Sequence, residues 1–320
     1  MKKVSLEEVD EAIRKSMIIS READDAISRE PPSARFNSLH HSREEIEVAL
    51  PGLPHTFPPR ELYNYSNYLS VIAASRKMSP KIIPIPRILN DMIERCFGAF
   101  HHVGGMRQSL VEEICETWPA LVKHFRDNTT AKYFIRLEES SPKDSPVLPG
   151  AVSCAEDVVK KICTSMRAKV AMEYAGHINA TEKVILLPWD ERMDSAKEFR
   201  CFVPPNDTLR ITAISQYRWH AHFAGWDYLG VEAPDLGEHA KVLLQHIIHH
   251  SHSDGTLQQL RQYGLSFDIA AIDGDVQLVE VNPFGAMSGC GSCLFHWLDD
   301  AKLLYGMEDE IELRVTDSSA

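Results

Sequence analysis

The chain has 320 residues, of which 44% are hydrophobic and 25% charged, and this composition is typical of a globular protein with one large domain or two smaller ones. The formal net charge of −12 excludes tight, nonspecific adhesion to nucleic acid or anionic membranes, because both depend on dense positive charge. No apolar run is long enough to span a bilayer, and the first residues lack the apolar core of a secretory signal. Since the seven cysteines mostly lie in apolar helical patterns, we expect reduced thiols in the cytosol or nucleus, and we predict a cytoplasmic protein without a membrane partner.

The N-terminal part of the chain is predicted to be mostly helical, with a proline-rich arm at about residues 20–61. Ser5 and Glu8 have the spacing of a helix-capping box, so an amphipathic helix is expected to follow them. Within the arm, SREEIEVALPGLP is expected to form a short helix that ends before Pro51. The segment KIIPIPRILNDMIERCFG then predicts a short strand and, after Pro86, a helix with one buried face.

The segment KYFIRLEESSPKDSPV predicts a strand followed by a polar loop. Arg136 and Lys143 flank this loop, and two cations in such positions form a candidate cradle for phosphate oxygens. The alternative is a solvated loop with a surface arginine, since long charged side chains usually lie outside. Three further β-type runs, KVILLPW, KEFRCFV and LRITAISQY, predict an antiparallel sheet in which Glu198 and Arg200 share one face.

The segment FDIAAIDGDVQLVEVNPFG is predicted to be a hairpin in which Glu280 and Asn282 share one face of a strand. A three-residue turn at residues 273–275 places Asp268 directly across from Glu280, whereas a two-residue turn sends Asp268 to the opposite face. The interpretation therefore requires the longer turn. Oxygen ligands from Asp268, Glu280 and Asn282 on one face suit Mg²⁺ that is shared with nucleotide phosphates. The alternative is a set of acidic residues on the solvent-facing side of the hairpin.

Two other motifs contain residue types that bind metals. The histidines of HHSHSDG, which begins at His249, lie at the predicted frayed end of a helix, where solvated imidazoles are favoured over a metal site. Cys290 and Cys293 form a CGSC sequence, but no second CxxC pair completes a four-cysteine zinc site, so two thiols in a loop are favoured. The residues after Tyr305 are acidic and polar and are predicted to be frayed.

Six motifs occur in the order and approximate spacing of one known family: SPKD at 141–144, EFRCFV at 198–203, ISQY at 214–217, FDI at 267–269, VEVNPFG at 279–285 and LFHWL at 294–298. Together they resemble the cell-division-cycle-123 family over roughly residues 82–305, and EFRCFV and NPFG are the most specific of them. That family has the ATP-grasp fold, in which two α+β subdomains with antiparallel sheets close on a nucleotide. It is known as an ATP-binding assembly chaperone for the gamma subunit of eukaryotic translation initiation factor 2. The resemblance thus implies ATP and Mg²⁺ as cofactors and that gamma subunit as a partner.

The resemblance also implies a division of the chain into three regions. Residues 1–129 form the mostly helical N-terminal region, residues 130–197 the small ATP-grasp subdomain, and residues 198–320 the C-terminal subdomain with the metal site.

Carried over to this sequence, the resemblance implies a role for each candidate residue. Arg136 takes the place of a phosphate-binding lysine, Lys143 lies in the loop that covers the phosphates, and Arg200 contacts the terminal phosphate. Leu187 and Trp189 lie in the hinge at 185–189, whose backbone groups contact adenine, and Glu198 contacts the ribose hydroxyls. The residues that bind Mg²⁺ are Asp268, Glu280 and Asn282.

Two classes of function compete. The first is an ATP- and Mg²⁺-binding protein that docks on a translation-factor subunit and promotes its assembly. The second is an ATP-grasp ligase that activates a carboxylate or a phosphate, for instance an RNA end, with Arg200 and Lys143 as catalytic residues that stabilise charge on the transferred group. A small-molecule binding module that has lost ATP is disfavoured, because all three proposed metal ligands are present.

The net negative charge of the chain disfavours an RNA substrate. A groove could still be locally basic if it is lined by the cationic residues Arg136, Lys143, Arg200, Arg210 and Arg218. The segment AMSGCGSC replaces a short acidic connection of the family and has no carboxylate. This departure bears on the identity of the partner more than on ATP binding.

Overall fold

The computed structural model of the protein describes residues 1–24, 35–38, 41–52 and 57–317. Parts of the predicted proline-rich arm, such as residues 25–34, therefore lie outside the described residues. The structure is a mixture of α-helices and β-strands, which confirms the predicted α+β class. Across the described ranges, none of the helices has both the length and the apolar character needed to cross a bilayer.

In chain order the strands are β1 (Lys2–Val4), β2 (Lys81–Pro84), β3 (Tyr133–Arg136), β4 (Lys183–Pro188), β5 (Glu198–Val203), β6 (Ala213–Gln216), β7 (Leu265–Ile272), β8 (Asp275–Asn282) and β9 (Glu312–Thr316). The α-helices are α1 (Leu6–Asp24), α2 (Arg43–Ala49), α3 (Tyr65–Ser75), α4 (Asn90–Val103), α5 (Gln108–Thr117), α6 (Pro119–Asp127), α7 (Ala155–Thr164), α8 (Met166–His177), α9 (Trp226–Leu229), α10 (Ala233–Asp254), α11 (Leu257–Tyr263) and α12 (Ala301–Leu304). Short 3₁₀ turns occupy Arg60–Tyr63, Arg87–Leu89 and Ser195–Lys197.

The chain divides into two compact units. Unit 1 combines Met1–Tyr63 with Arg192–Ala320, and unit 2 consists of Asn64–Glu191. Helices α1 and α2 thus belong with the C-terminal strands, whereas α3 to α6 belong with β2, β3 and β4.

The sheet of unit 1 has the strand order β1-β9-β6-β5-β7-β8. Strands β6, β5, β7 and β8 pair antiparallel, as the sequence predicts, whereas β9 pairs parallel with both β1 and β6. The run KVILLPW was wrongly predicted to join this sheet, because β4 pairs with β2 and β3 instead. Along β5, Phe199 and Phe202 point to opposite faces. Phe199 stacks on Trp226, and Phe202 packs edge-on against Phe295 and Trp297, so aromatic side chains cover both faces of this strand.

Strand β9 corrects the prediction that the residues after Tyr305 are frayed. It lies between β1 and β6, and its Arg314 is buried. Asp300 accepts hydrogen bonds from Nη1 and Nη2 of Arg314 at 3.0 and 2.8 Å, and the guanidinium lies 4.0 Å from the centre of the Phe295 ring. The prediction was wrong because partners distant in sequence stabilise this strand, and the acidic residues before it conceal its β pattern.

Unit 2 is built on the antiparallel sheet β2-β4-β3. Helices α4 to α8 share one buried apolar cluster with this sheet, and the cluster includes Ile83, Ile135 and Leu186. The predicted strand and helix on either side of Pro86 are both present. In unit 1, the short helix expected before Pro51 is likewise present as α2.

Gly264 holds the start of β7 against the end of β5. Its φ of 71° and ψ of −177° fall in a region that only glycine adopts readily. A Cβ at this position would lie 2.7 Å from the carbonyl oxygen of Val203 and 2.8 Å from the nitrogen of Pro205. Neither of these backbone atoms can move without disturbing the strand pair.

We expect Gly264→Ala to lower the free energy of unfolding by about 2 kcal/mol or more, because it adds backbone strain and a steric clash. Gly237→Ala is the matched control, since a Cβ there meets nothing within 4 Å and the position lies inside α10. The control is expected to raise the free energy of unfolding by about 0.5–1 kcal/mol. Urea unfolding of both variants checks the prediction, and similar stabilities would contradict it.

Glu182 is a buried carboxylate beside the sheet of unit 2. Its Oε1 accepts hydrogen bonds from the backbone N–H groups of Glu138 and Lys183 at 3.0 and 2.9 Å. The pKa of Glu182 is raised from 4.5 to about 7, mainly by burial; the two backbone hydrogen bonds oppose this rise, and the charges of Glu138 and Glu139 add to it. Because the folded protein keeps a proton that the unfolded chain releases in this interval, stability falls as the pH rises from 4.5 to about 7.

Glu182→Gln keeps the accepting oxygen and removes the ionisable group. Relative to the native protein, we expect its free energy of unfolding to increase as the pH rises from 4.5 to about 7. The gain should approach roughly 3 kcal/mol, because one pKa unit corresponds to about 1.4 kcal/mol. Urea unfolding at several pH values measures the difference, and a difference that does not change with pH would refute the assignment.

Candidate functional site

The hairpin of β7 and β8 turns through two residues, Asp273 and Gly274. Ile272 pairs with Asp275, and the two turn residues have φ angles of 52° and 81°. Positive φ at both central positions is the signature of a type I′ hairpin turn, which Asp-Gly favours. The predicted three-residue turn at 273–275 is therefore wrong.

A β-bulge compensates for the shorter turn. The strand register shifts between Asp268 and Ile269, so that Asp268 pairs with Glu280 while Ile269 pairs with Leu278. Val279 is the extra residue of the bulge. Asp268, Glu280 and Asn282 consequently lie on the same face of the sheet, which is the arrangement that the longer turn was expected to produce.

Arg200 of β5 completes this cluster, because it pairs across the sheet with Asp268 of β7. Its Nε and Nη2 donate to the two carboxylate oxygens of Asp268, each at 2.8 Å. Asp268 is 0% exposed and Arg200 is 6% exposed. Nδ2 of Asn282 lies 3.3 Å from Oδ2 of Asp268 and 3.2 Å from Oε1 of Glu280, which joins both carboxylates to the same network.

The remaining contacts of Arg200 tie it to the segment CGSC. Nη1 lies 3.0 Å from Sγ of Cys290 and 2.9 Å from the carbonyl oxygen of Gly291. The Tyr217 ring lies 5.2 Å from the guanidinium carbon. Four of the five N–H groups of Arg200 are thus engaged inside unit 1.

Opposing effects act on the charge of this cluster. The pKa of Asp268 is raised to about 6, because burial outweighs the opposing effect of Arg200 and the neighbouring Glu280 carboxylate adds to the rise. Burial also raises the pKa of the Cys290 thiol, although the guanidinium acts in the opposite direction. The network therefore contains the desolvated carboxylate of Asp268, the half-buried carboxylate of Glu280, one guanidinium and neutral hydrogen-bonding groups.

Sequence reasoning did not assign Tyr217 and Cys290 to this site. Strand alternation offers a signal for Tyr217, because the register of β5 with β6 puts Ser215 and Tyr217 on the face of Arg200. No local pattern predicts Cys290, since its loop is positioned by contacts that are distant in sequence. Trp297 Nε1, for example, donates to the Cys290 carbonyl oxygen at 2.8 Å, and the Asn37 side chain accepts from the Cys293 N–H at 3.1 Å.

The predicted phosphate contacts of unit 2 differ in exposure. Arg136 ends β3, is buried, and has its guanidinium 4.3 Å from the centre of the Tyr65 ring. Lys143 is exposed in the loop after β3. The next residue, Asp144, anchors this loop to α8 by accepting hydrogen bonds from the Ser165 hydroxyl and the Arg167 N–H. The hydrogen bonds of Asp144 therefore hold the loop in place, and Lys143 is an exposed residue of this loop.

The predicted adenine contacts lie at the end of β4. Leu187 is buried and pairs with Phe134, whereas Trp189 is 37% exposed. The N–H of Trp189 already donates to the carbonyl oxygen of Lys132 at 2.9 Å. In unit 1, the predicted ribose contact Glu198 begins β5, is half-buried, and lies on the face of Arg200.

Arg210, which was predicted to line a basic groove, has a structural role in unit 1. Arg210 donates to the carbonyl oxygens of Gly306 and Glu308, so it stabilises a turn of unit 1.

The histidines from His249 onward belong to α10, which continues to Asp254, so the predicted fraying of this helix is wrong. Among the described residues, no group of three or more His, Cys, Asp or Glu side chains has the geometry to hold a metal ion.

The donor set of the hairpin face, two carboxylates and one amide, fits a Mg²⁺ ion. Carboxylate and amide oxygens are ligands that Mg²⁺ accepts, and it usually takes only one or two carboxylates from the protein. The Asn282 amide now directs Nδ2 toward both carboxylates, and rotating the amide by half a turn exchanges that nitrogen for Oδ1. Asp268, Glu280 and Asn282 can therefore offer oxygen atoms to one cation.

A scan against protein-family models finds no match to the chain, and a search of curated proteins also finds none. A search of solved structures finds Cdc123 from Schizosaccharomyces pombe, with a TM-score of 0.50 and 18% identity. It also finds a C-terminally truncated Cdc123 from the same organism, with a TM-score of 0.54 and 17% identity. Each match covers 83% of this chain and 100% of the solved chain.

The fold and the polar sheet face define a mixed α+β protein with a buried ionic cluster on an antiparallel hairpin. Within that class the chain is Cdc123-like in its fold. The resemblance predicted from the motifs is thus confirmed at the level of the fold.

Asp268→Asn removes one partner of a buried ion pair, so we expect it to lower the free energy of unfolding by about 3–5 kcal/mol. The matched control is Asp273→Asn, because Asp273 pairs with Arg192 at 3.1 Å with both side chains exposed. The control should change stability by less than about 1 kcal/mol. Urea unfolding at neutral pH measures both values, and a cost below 1 kcal/mol for Asp268→Asn would contradict a buried ion pair.

Proposed function

We propose that the chain binds ATP together with Mg²⁺ and acts as an assembly factor for a subunit of a translation initiation factor. The observation that carries the nucleotide part is the convergence of Asp268, Glu280 and Asn282 on one sheet face through the bulge at Val279. The likeness to the Cdc123 fold and the six sequence motifs support the same proposal. When bound, Mg²⁺ would neutralise phosphate charge beside these residues.

The proposed partner is the gamma subunit of eukaryotic translation initiation factor 2. Its support is the motif resemblance together with the likeness in fold. In this proposal the nucleotide acts as a ligand that stabilises a docking conformation, so its effect follows binding equilibrium. Arg136, Lys143, Leu187, Trp189 and Glu198 are further candidate nucleotide contacts, each of which can be tested by a single substitution.

Glu280→Gln is the sharpest single test of the metal site, because it removes one ligand charge from a half-buried position. We expect the affinity for ATP in the presence of Mg²⁺ to fall by at least about tenfold, whereas affinity in EDTA should change little. Asp273→Asn, at the tip of the same hairpin, is the control and should bind like the native protein. Titration calorimetry measures these affinities, and unchanged binding by Glu280→Gln would exclude the proposed ligand role.

Binding without turnover is favoured over ligase chemistry, because the motifs that match are those of a family known for binding ATP as an assembly chaperone. A ligase also needs an acceptor for the transferred group, and the matching motifs identify none. An assembly factor needs only a difference in affinity between two states.

Incubation with labelled ATP and Mg²⁺ separates these two classes. The assembly proposal predicts negligible turnover with the protein alone or with added RNA fragments and amino acids, and ATP-dependent capture of the purified gamma subunit. A nonhydrolysable ATP analogue should support the same capture. Acceptor-dependent release of AMP or ADP at about 1 per second or faster would instead establish a ligase.

A further inference from the structure

Helix α8 of unit 2 carries apolar residues on two opposite sides. Its buried side consists of Ala168, Ala171, Met172 and Ala175. The opposite side carries a second apolar row, which we call the outer row and which consists of Met166, Val170, Tyr174 and Ile178. Three members of the outer row are 38–50% exposed, and Tyr174 is half-buried. A helix that is apolar all round is normally packed on all sides, so the outer row marks a candidate contact surface.

The spacing of the outer row suits packing against another helix. Its members follow one another at intervals of four residues, and such a row forms a ridge on the helix surface. When ridges of this kind from two helices interdigitate, the helices cross at about −50°, which is the commonest packing angle in globular proteins. One edge of the outer row is charged, because Lys169 and Glu173 form an ion pair one helical turn apart.

We propose that the outer row is the surface through which α8 packs antiparallel against α8 of a second copy of this chain. A two-fold axis through the middle of the row matches Met166 with Ile178 of the other copy. The same axis matches Val170 with Tyr174, so apolar side chains meet at every step of the contact. All of these residues belong to unit 2, and the proposal does not depend on nucleotide binding or on the translation-factor partner.

The charges beside the outer row favour a second copy over a different partner. The midpoint between Lys169 and Glu173 is Ala171, and the midpoint of the outer row is the next residue, Met172. The axis that matches the apolar residues therefore also places Lys169 of one copy close to Glu173 of the other. The ion pair within each copy becomes part of a network of four alternating charges. Antiparallel helices also bring opposite ends of their dipoles together.

The size of the surface sets the strength of the expected dimer. A single helix face buries less area than the roughly 1,200–2,000 Å² of a stable protein interface, so the dimer is weak. We expect a dissociation constant on the order of 10–100 µM. Sedimentation velocity of the full chain should show monomer at about 5 µM and a growing dimer fraction up to about 300 µM. A native chain that stays monomeric over this range would overturn the proposal.

Val170→Glu tests whether the outer row forms the dimer contact. It puts a charge at the centre of the row and should weaken the dimer by at least about tenfold, because an unpaired carboxylate would be buried in the contact. Val242→Glu is the matched control, since Val242 of α10 is 52% exposed and Val170 is 46% exposed. The control should dimerise like the native protein. A dimer that survives Val170→Glu would show that another surface forms it.

An exchange of charges tests the antiparallel arrangement. Lys169→Glu and Glu173→Lys each place like charges across the contact, so each variant alone should dimerise at least about fivefold more weakly than the native protein. An equimolar mixture of the two variants should recover the native affinity, because every glutamate then faces a lysine. A mixture as monomeric as its components would overturn the arrangement.

A different occupant of the outer row would also be recognised. The purified gamma subunit serves as the probe, with Val170→Glu and Val242→Glu compared for its capture. A native chain that remains monomeric, together with capture lost only in Val170→Glu, would assign the outer row to that subunit and overturn the second copy.

Discussion

The site depends on one buried ion pair, in which Arg200 of β5 donates twice to Asp268 of β7. Both side chains have lost nearly all contact with water. The desolvation of two charges is costly, and the cost is offset only when the geometry is good and the remaining hydrogen bonds are made. Asn282, Cys290 and Gly291 provide those bonds. The pair therefore fixes the relative positions of β5, β7, β8 and the loop that contains Cys290 and Gly291.

The backbone of β8 makes this arrangement possible. Its tight turn at Asp273 and Gly274 alone would place Asp268 and Glu280 on opposite faces, and the extra residue at Val279 restores their pairing. Bulges are common where a strand must redirect a side chain at a functional position. The bulge thus links a favourable turn sequence to a cluster of oxygen-bearing side chains, and this link is the main structural support for the proposed magnesium site.

The sequence was sufficient to predict the hairpin, the shared face of Glu280 and Asn282, the antiparallel core of the unit 1 sheet and the resemblance in fold. It was not sufficient to choose between a two-residue and a three-residue turn, because Asp273, Gly274 and Asp275 are compatible with both and a bulge leaves no local pattern. Contacts distant in sequence were equally hidden. The contact of Arg200 with Cys290 and the burial of Arg314 beside Asp300 both depend on tertiary packing, which overrides local polarity.

A crystal structure of the protein with ATP and Mn²⁺, with data collected to show the anomalous signal of manganese, tests the central claim most directly. We predict an anomalous peak bonded to oxygen atoms of Asp268 and Glu280 and to phosphate oxygens. A manganese ion bound elsewhere, or one that contacts neither carboxylate, would contradict this account of the site.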